Sequence, residues 1–340
     1  MMKNINLNHN SGLFTLVLRL VVGWTYFSAF WRRTILAPKL DPEFAGYIGK
    51  KFNHFLPNAL GIQPIIEYLV EHPEALWLHM LIFTIIEGLV GLCLMFGAFT
   101  RLMSIGVMAL AMGILLGSGW IGTTCLDEWQ IGVLGIAAGF VLFLTGSSTY
   151  SIDHYWLQQQ VKFTQTKYFA WLGSGDFPLN IKLLPKFVLV GSLIILAITL
   201  STNQIFHGGL WGKLHNKSVK PKLEISQASI NQENLSFEVY RTEGVDVYGS
   251  WLIKVEVLNT ENKVVMAYTQ EDLAQLNGHQ IKNKYVAKVK PGKHSLVIPL
   301  GAKAVLSFTN AKFKQLPKGN YQLKLTDISG ASWSQRVRKN

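Results

Sequence analysis

Cysteine is nearly absent from this 340-residue chain, which has only Cys93 and Cys125. Neither lies in the C-terminal third, so no disulfide framework holds that part together and its stability must come from a packed core. Charge is scarce too, at 15% of residues against about 25% in ordinary soluble domains. The windows near 12–31, 76–99, 102–117, 130–146 and 186–204 are long and nearly free of it. That pattern excludes a soluble globular protein and leaves a multispan membrane protein with five spans. Also missing are C-x-x-C-H for covalent haem, a Walker loop and H-E-x-x-H. His207, His215, His279 and His294 lack a metal-ligand spacing. No metal or bound cofactor is visible, so any electron carrier must be small and mobile; for a multispan protein with aromatic helix ends, a membrane quinone fits.

The first window is not a secretory signal, because it is full length, carries Arg19 and runs into "FWRRT" without a small-residue cleavage site. It reads as an anchor helix. From about residue 218 the pattern changes to lysine-rich stretches of alternating hydrophobicity such as "SWLIKVEVLN" and "GNYQLKLTDISG", separated by turn residues. Residues 206–340 hold 20 Lys and Arg against 10 Asp and Glu, so they supply ten of the net twelve positive charges. The expected architecture is a four-helix transmembrane bundle over 1–150, then an amphipathic connector and fifth span over 151–205. A soluble all-β domain over 206–340 follows, of about seven strands and immunoglobulin-like. The connector carries no recognisable chemistry and reads as an amphipathic segment lying on the bilayer.

Lysine and arginine in the short loops set the orientation: Arg101, then Lys162, Lys167 and Lys182, against none in 118–129. This predicts a multi-pass protein of a bacterial inner membrane, with a cytoplasmic N-terminus and a periplasmic β domain. Arg32 and Arg33 then lie on the outer side against that trend, either as an anion site or as arginines snorkelling to lipid phosphate. Counted in from the ends of their windows at about 1.5 Å per residue, Arg19 and Glu87 both fall near the midplane. An Arg19–Glu87 pair is the economical expectation, either as a structural ion pair or with a role in binding or proton movement.

The stretch "GSGWIGTTCLDEWQIG", 117–132, begins with G-x-G-x-x-G, but no strand precedes it and it lies between two spans, so it is no dinucleotide loop. The preceding span has only about sixteen residues, which puts the loop below the membrane surface, where irregular backbone lines a cavity or is buried in protein. Cys125 in this loop is either a reactive thiolate or a small filler, with Asp127 and Glu128 opposing a lowered pKa. A Cys93–Cys125 disulfide is not expected, because Cys93 lies about 25 Å deeper. Trp24, Trp120 and Trp129 are candidate quinone contacts or members of the interfacial aromatic belt.

"LRLVVGWTYFSAFWRR" followed by "EGLVGLCLMFGAFTR" resembles the DoxX/DoxD membrane proteins through Arg19, Gly23, Arg32 or Arg33, Glu87, Gly91, Gly97 and Arg101. Four helices, a fifth and an exported β domain together are similar to DoxD fused to DoxA, the two subunits of thiosulfate:quinone oxidoreductase. The resemblance implies oxidation of thiosulfate, or a related small sulfur anion, to tetrathionate with two electrons passed to a membrane quinone. In that frame Arg32 and Arg33 are candidate ligands of the doubly charged donor. Glu87, Asp127 and Arg19 are candidates for proton relay or catalysis, and Cys125 for a transient thiosulfonate adduct. A homodimer is compatible with this frame, and no nucleic acid partner is expected. The other classes compatible with the sequence are a non-catalytic partner or assembly factor and a sulfur-anion transporter.

Overall fold

The computed structural model describes residues 7–122, 127–247 and 250–339. They form two compact units: Met1–Ile48, Trp77–Gly119 and Cys125–His215 in one, and Gly49–Leu76, Trp120–Thr124 and Asn216–Asn340 in the other. The helices relevant to both are α1 (Leu7–Phe14), α2 (Leu16–Thr34), α3 (Lys50–Phe55), α4 (Gln63–Glu71), α5 (Pro73–Phe96), α6 (Thr100–Ser118), α7 (Asp127–Thr145), α8 (Ile152–Gln158), α9 (Lys167–Leu172) and α10 (Leu184–Phe206).

In the helical unit, α5, α6, α7 and α10 are long and apolar enough to cross a membrane. The 19-residue α2, which carries three arginines, packs against α5. Small residues let these helices approach closely, as in membrane bundles where packing rather than water expulsion drives association. Gly23 lies against Met95, Phe27 against Gly91 and Phe30 against Gly88, which fixes an antiparallel α2–α5 register. Gly132, Gly135 and Gly139 of α7 face Leu115, Ala111 and Met108 of α6 in the same way. Outward, α10 exposes Leu189, Val190, Leu193, Ile194 and Leu196, an apolar face suited to lipid. This is a membrane protein.

α6 is longer than the sixteen residues expected. It runs through Gly117 and Ser118, and the Gly119 N–H still donates to Leu115 O at 3.1 Å. Gly117 is therefore helix and Gly119 its C-cap rather than part of an irregular loop, because the backbone ladder continues to them despite the glycine cost.

The connector does not merely lie on a surface. Asp153 is fully buried and acts as a remote cap on α6, accepting from Phe99 N at 2.7 Å and from Thr100 N at 2.9 Å. The hydroxyls of Thr100 (2.9 Å) and Ser174 (2.7 Å) complete its shell. A carboxylate here satisfies helix donors that would otherwise be orphaned and complements the positive end of the helix dipole.

The second unit is built on seven strands of five residues or more: β1 (Lys222–Asn231), β2 (Asn234–Glu243), β3 (Leu252–Leu258), β4 (Val264–Tyr268), β8 (Lys303–Thr309), β9 (Gly319–Asp327) and β10 (Ser332–Lys339). The short β5 (Ile281–Asn283), β6 (Lys290–Pro291) and β7 (Leu296–Val297) bring the described total to ten. They pair in the order β5-β8-β2-β1-β10-β9-β3-β7-β6, with β4 on β3; only β1 and β10 run parallel. Period-two patterning builds the core, as in β8, where Ala304, Leu306 and Phe308 point inward.

α3 and α4 belong to this β unit. Leu56, Ala59, Ile66 and Val70 pack against Tyr285, with Tyr240 alongside. The Asn53 amide donates to Gly301 O at 3.1 Å and its carbonyl accepts from Ala287 N at 3.0 Å. Tyr285 donates to Glu67 at 2.6 Å. The local pattern is amphipathic, and only the fold shows what its apolar face covers.

Candidate functional site

α2 and α5 build a buried polar centre near the Arg33 end of the helical unit. Arg33 and Glu87 form a direct ion pair whose side chains are 18% and 4% exposed. The Arg33 guanidinium also lies 5.9 Å from the Phe83 ring centroid, within cation–π range. Thr84, one turn before Glu87 on the same helix, is fully buried, and its hydroxyl has no hydrogen-bond partner. Tyr26, also buried, donates to Val107 O at 3.5 Å. A buried ion pair beside an unpaired hydroxyl can bind an anion or hold a proton, since either event redistributes charge that water cannot screen.

The expected Arg19–Glu87 pair is not formed. Both were placed at mid-depth by counting from the ends of their own windows, but the α2–α5 register sets Glu87 near Phe30 and Arg19 beside Gly97 at the opposite end. Arg19 is buried there and donates from Nη2 to Tyr150 O at 2.5 Å. At the same end, Arg101 spends its donors on Phe143 O (3.1 Å), Ala170 O (2.6 Å) and Gly175 O (2.8 Å) and lies over Phe177. Gly97, in a left-handed turn at φ 66°, leaves no room for a Cβ beside Arg19.

Arg32 and Arg33 diverge. Adjacent helix positions lie about 100° apart, so Arg33 turns inward while Arg32 stays exposed and bonds Ser28 O of its own helix at 3.2 Å. The three tryptophans lie on different segments of the chain. Trp24 is exposed on α2; Trp120, in the β unit, is buried and donates to Phe55 O at 3.1 Å. Trp129 of α7 donates to Thr202 of α10 at 3.0 Å. Asp127 is exposed in the first turn of α7, and Cys93 is half-buried in α5. Cys125 lies outside the described residues. Sequence alone singled out neither Thr84 nor Asp153, and it weighed His207 only as a metal ligand. Thr84 is one threonine in an apolar run, but a lone acid in "YSIDHYW" and a histidine directly after a span are signals of a buried partner.

Four apolar helices of membrane-crossing length, a buried arginine–glutamate pair and a mostly β unit define a helical membrane protein with a β appendage. The chain belongs to the DoxD family: the family model described as TQO small subunit DoxD matches residues 14–184. The model described as TQO small subunit DoxA matches residues 206–336, so the chain is a DoxD/DoxA fusion related to thiosulfate:quinone oxidoreductase.

Proposed function

We propose that this protein oxidises thiosulfate to tetrathionate and reduces a membrane quinone. Two thiosulfates lose two electrons and join through a sulfur–sulfur bond; the quinone takes the electrons with two protons. The observation that carries this reading is the presence of both oxidoreductase subunit families in one chain, with the Arg33–Glu87 pair buried in the DoxD part. An incoming dianion competes with the Glu87 carboxylate for the Arg33 guanidinium, and proton uptake by Glu87 releases Arg33 to it. Arg32, exposed at the helix end, gives the anion its first contact. In this reading the Arg33 end and the β unit face the periplasm, and the basic β unit raises the local anion concentration through its field.

Cys125 is the expected nucleophile. Its thiolate and one thiosulfate form a disulfide-type adduct as two electrons pass to the quinone, and a second thiosulfate displaces the thiolate as tetrathionate leaves. The test is thiosulfate-dependent reduction of a soluble quinone analogue by the purified full chain in lipid. Activity is expected, with the thiosulfate KM raised steeply by Arg32→Gln/Arg33→Gln. Absence of reduction with any sulfur anion in folded protein overturns the reading. Cys125→Ala should abolish turnover; retention of more than about a tenth of the rate removes the thiol from the mechanism.

A further inference from the structure

α6, α7 and α10 set a second buried polar group at the Arg33 end of the helical unit. His207 directly follows α10 and is only 3% exposed. Its Nε2 lies 2.9 Å from Gly119 O. A carbonyl oxygen only accepts, so Nε2 carries the proton, and the neutral ring presents Nδ1 as a bare lone pair. That Nδ1 is buried and has no hydrogen-bond partner among the described residues. Burial lowers the affinity of the ring for a second proton, outweighing the bond to Gly119. An unpaired buried acceptor costs about 1–3 kcal/mol, which a bound donor would recover.

The surroundings narrow what that donor can be. Trp129 meets the imidazole edge-on at 6.5 Å between centroids, and Phe206 does so at 6.2 Å. The Trp129 N–H is occupied by Thr202, which fixes the ring, and Trp129 itself is only partly covered. A buried water needs two to four polar partners, and these rings offer none. A sulfur oxyanion needs donors, and a bare lone pair repels it. A flat ring bearing hydroxyl groups suits both the aromatic walls and the nitrogen, to which a hydroxyl donates. The site also lies at the ends of three spanning helices, the level at which amphipathic rings settle between hydrocarbon and water.

We propose that His207, walled by Trp129 and Phe206, is the head-group site of the membrane quinone. This rests on the quinone-linked reading above. Neutral His207 accepts from a hydroxyl of the hydroquinone; protonated, it donates to a carbonyl of the quinone. In reduction, thiosulfate supplies both electrons and solvent supplies both protons, one of them through His207, whose neutral Nδ1 takes it up and passes it to one quinone oxygen, so the ring ends neutral as it began.

The experiment measures equilibrium binding of a short-chain hydroquinone, kept reduced, to the purified full chain in lipid nanodiscs without thiosulfate, together with separate KM values for quinone and thiosulfate. His207→Gln keeps an N–H for Gly119 but has no acceptor at the Nδ1 position; His207→Phe keeps the ring and loses both nitrogens. Both are expected to weaken hydroquinone binding at least about tenfold, with the thiosulfate KM unchanged and, in the Gln variant, a parental melting temperature. Unchanged hydroquinone affinity in the Gln variant overturns the proposal, as does a parent that binds no hydroquinone. If the parent binds hydroquinone, the variants do not, and thiosulfate drives no reduction, the site stands and the thiosulfate reading fails.

Discussion

Arg33 and Glu87 illustrate how far one residue's consequence depends on its partner. Removing either alone strands the other charge in a low-dielectric interior, which costs about 3–5 kcal/mol, whereas replacing both with apolar side chains of similar volume is often neutral. Arg33→Met alone should therefore lower the unfolding midpoint in detergent sharply, and Arg33→Met/Glu87→Leu should restore it. If the pair serves the anion, the double variant stays folded and loses thiosulfate turnover; a folded, fully active double variant would reduce the pair to packing. His54, in the β unit, makes a pH prediction. Burial lowers its pKa, Asp246 at 3.2 Å opposes the shift, and Lys51 and Arg241 reinforce it. The unfolded chain takes up this proton near pH 6.5 and the folded chain only at lower pH, so the unfolded state binds more protons and stability falls as pH drops below about 6.5. Melting curves from about pH 7.5 to 5 should show that loss, and His54→Gln should reduce it.

At the scale of elements, the helical unit relies on places where a side chain is missing. A Cβ on Gly91 would press into the Phe27 backbone and the Gly23 carbonyl, so Gly91→Ala must push α2 and α5 apart and disturb the register that brings Arg33 to Glu87. Reduced thermal stability together with lost thiosulfate turnover is expected, and parental values for both would refute the role given to this crossing. α6 depends instead on Asp153. Asp153→Ala takes the acceptor from the Phe99 and Thr100 N–H groups, while the Thr100 and Ser174 hydroxyls keep Ser147 as a partner. Each buried donor left unpaired costs about 1–3 kcal/mol, so the change should destabilise by several kcal/mol in an unfolding titration.

At the scale of the molecule, the β unit crosses the boundary between the two matched families. Residues 206–336 match the DoxA model, yet α3 and α4, inside the DoxD match, complete its packing through Asn53, Leu56, Ile66 and Val70. A fragment of residues 216–340 leaves the Tyr285 and Tyr240 face bare and the Gly301 and Ala287 backbone groups without Asn53. Expressed alone it should melt well below the same fragment carrying residues 49–76 by fusion. Equal melting temperatures would mean that the helical segment only rests on the strands.

Composition and periodicity by themselves determined the class of this protein. Apolar runs of membrane-crossing length can be stable only in lipid, and the period-two lysine-rich tail can bury only one face, so the helical part and the β part were both legible residue by residue. The seven long strands follow from the same alternation, and "LRLVVGWTYFSAFWRR" and "EGLVGLCLMFGAFTR" carried the family. Partnership was not legible. Glu87 pairs with Arg33 rather than Arg19 because helix register is set by glycine contacts between chain segments about sixty residues apart, to which depth counting within one segment is blind. Asp153 lay in a connector without recognisable chemistry and His207 was a histidine without a metal motif, because the burial of both and the unpaired nitrogen of His207 exist only in the folded helical unit. Local sequence fixes what a segment can bury; which polar atoms are left facing one another depends on contacts that no window of sequence contains.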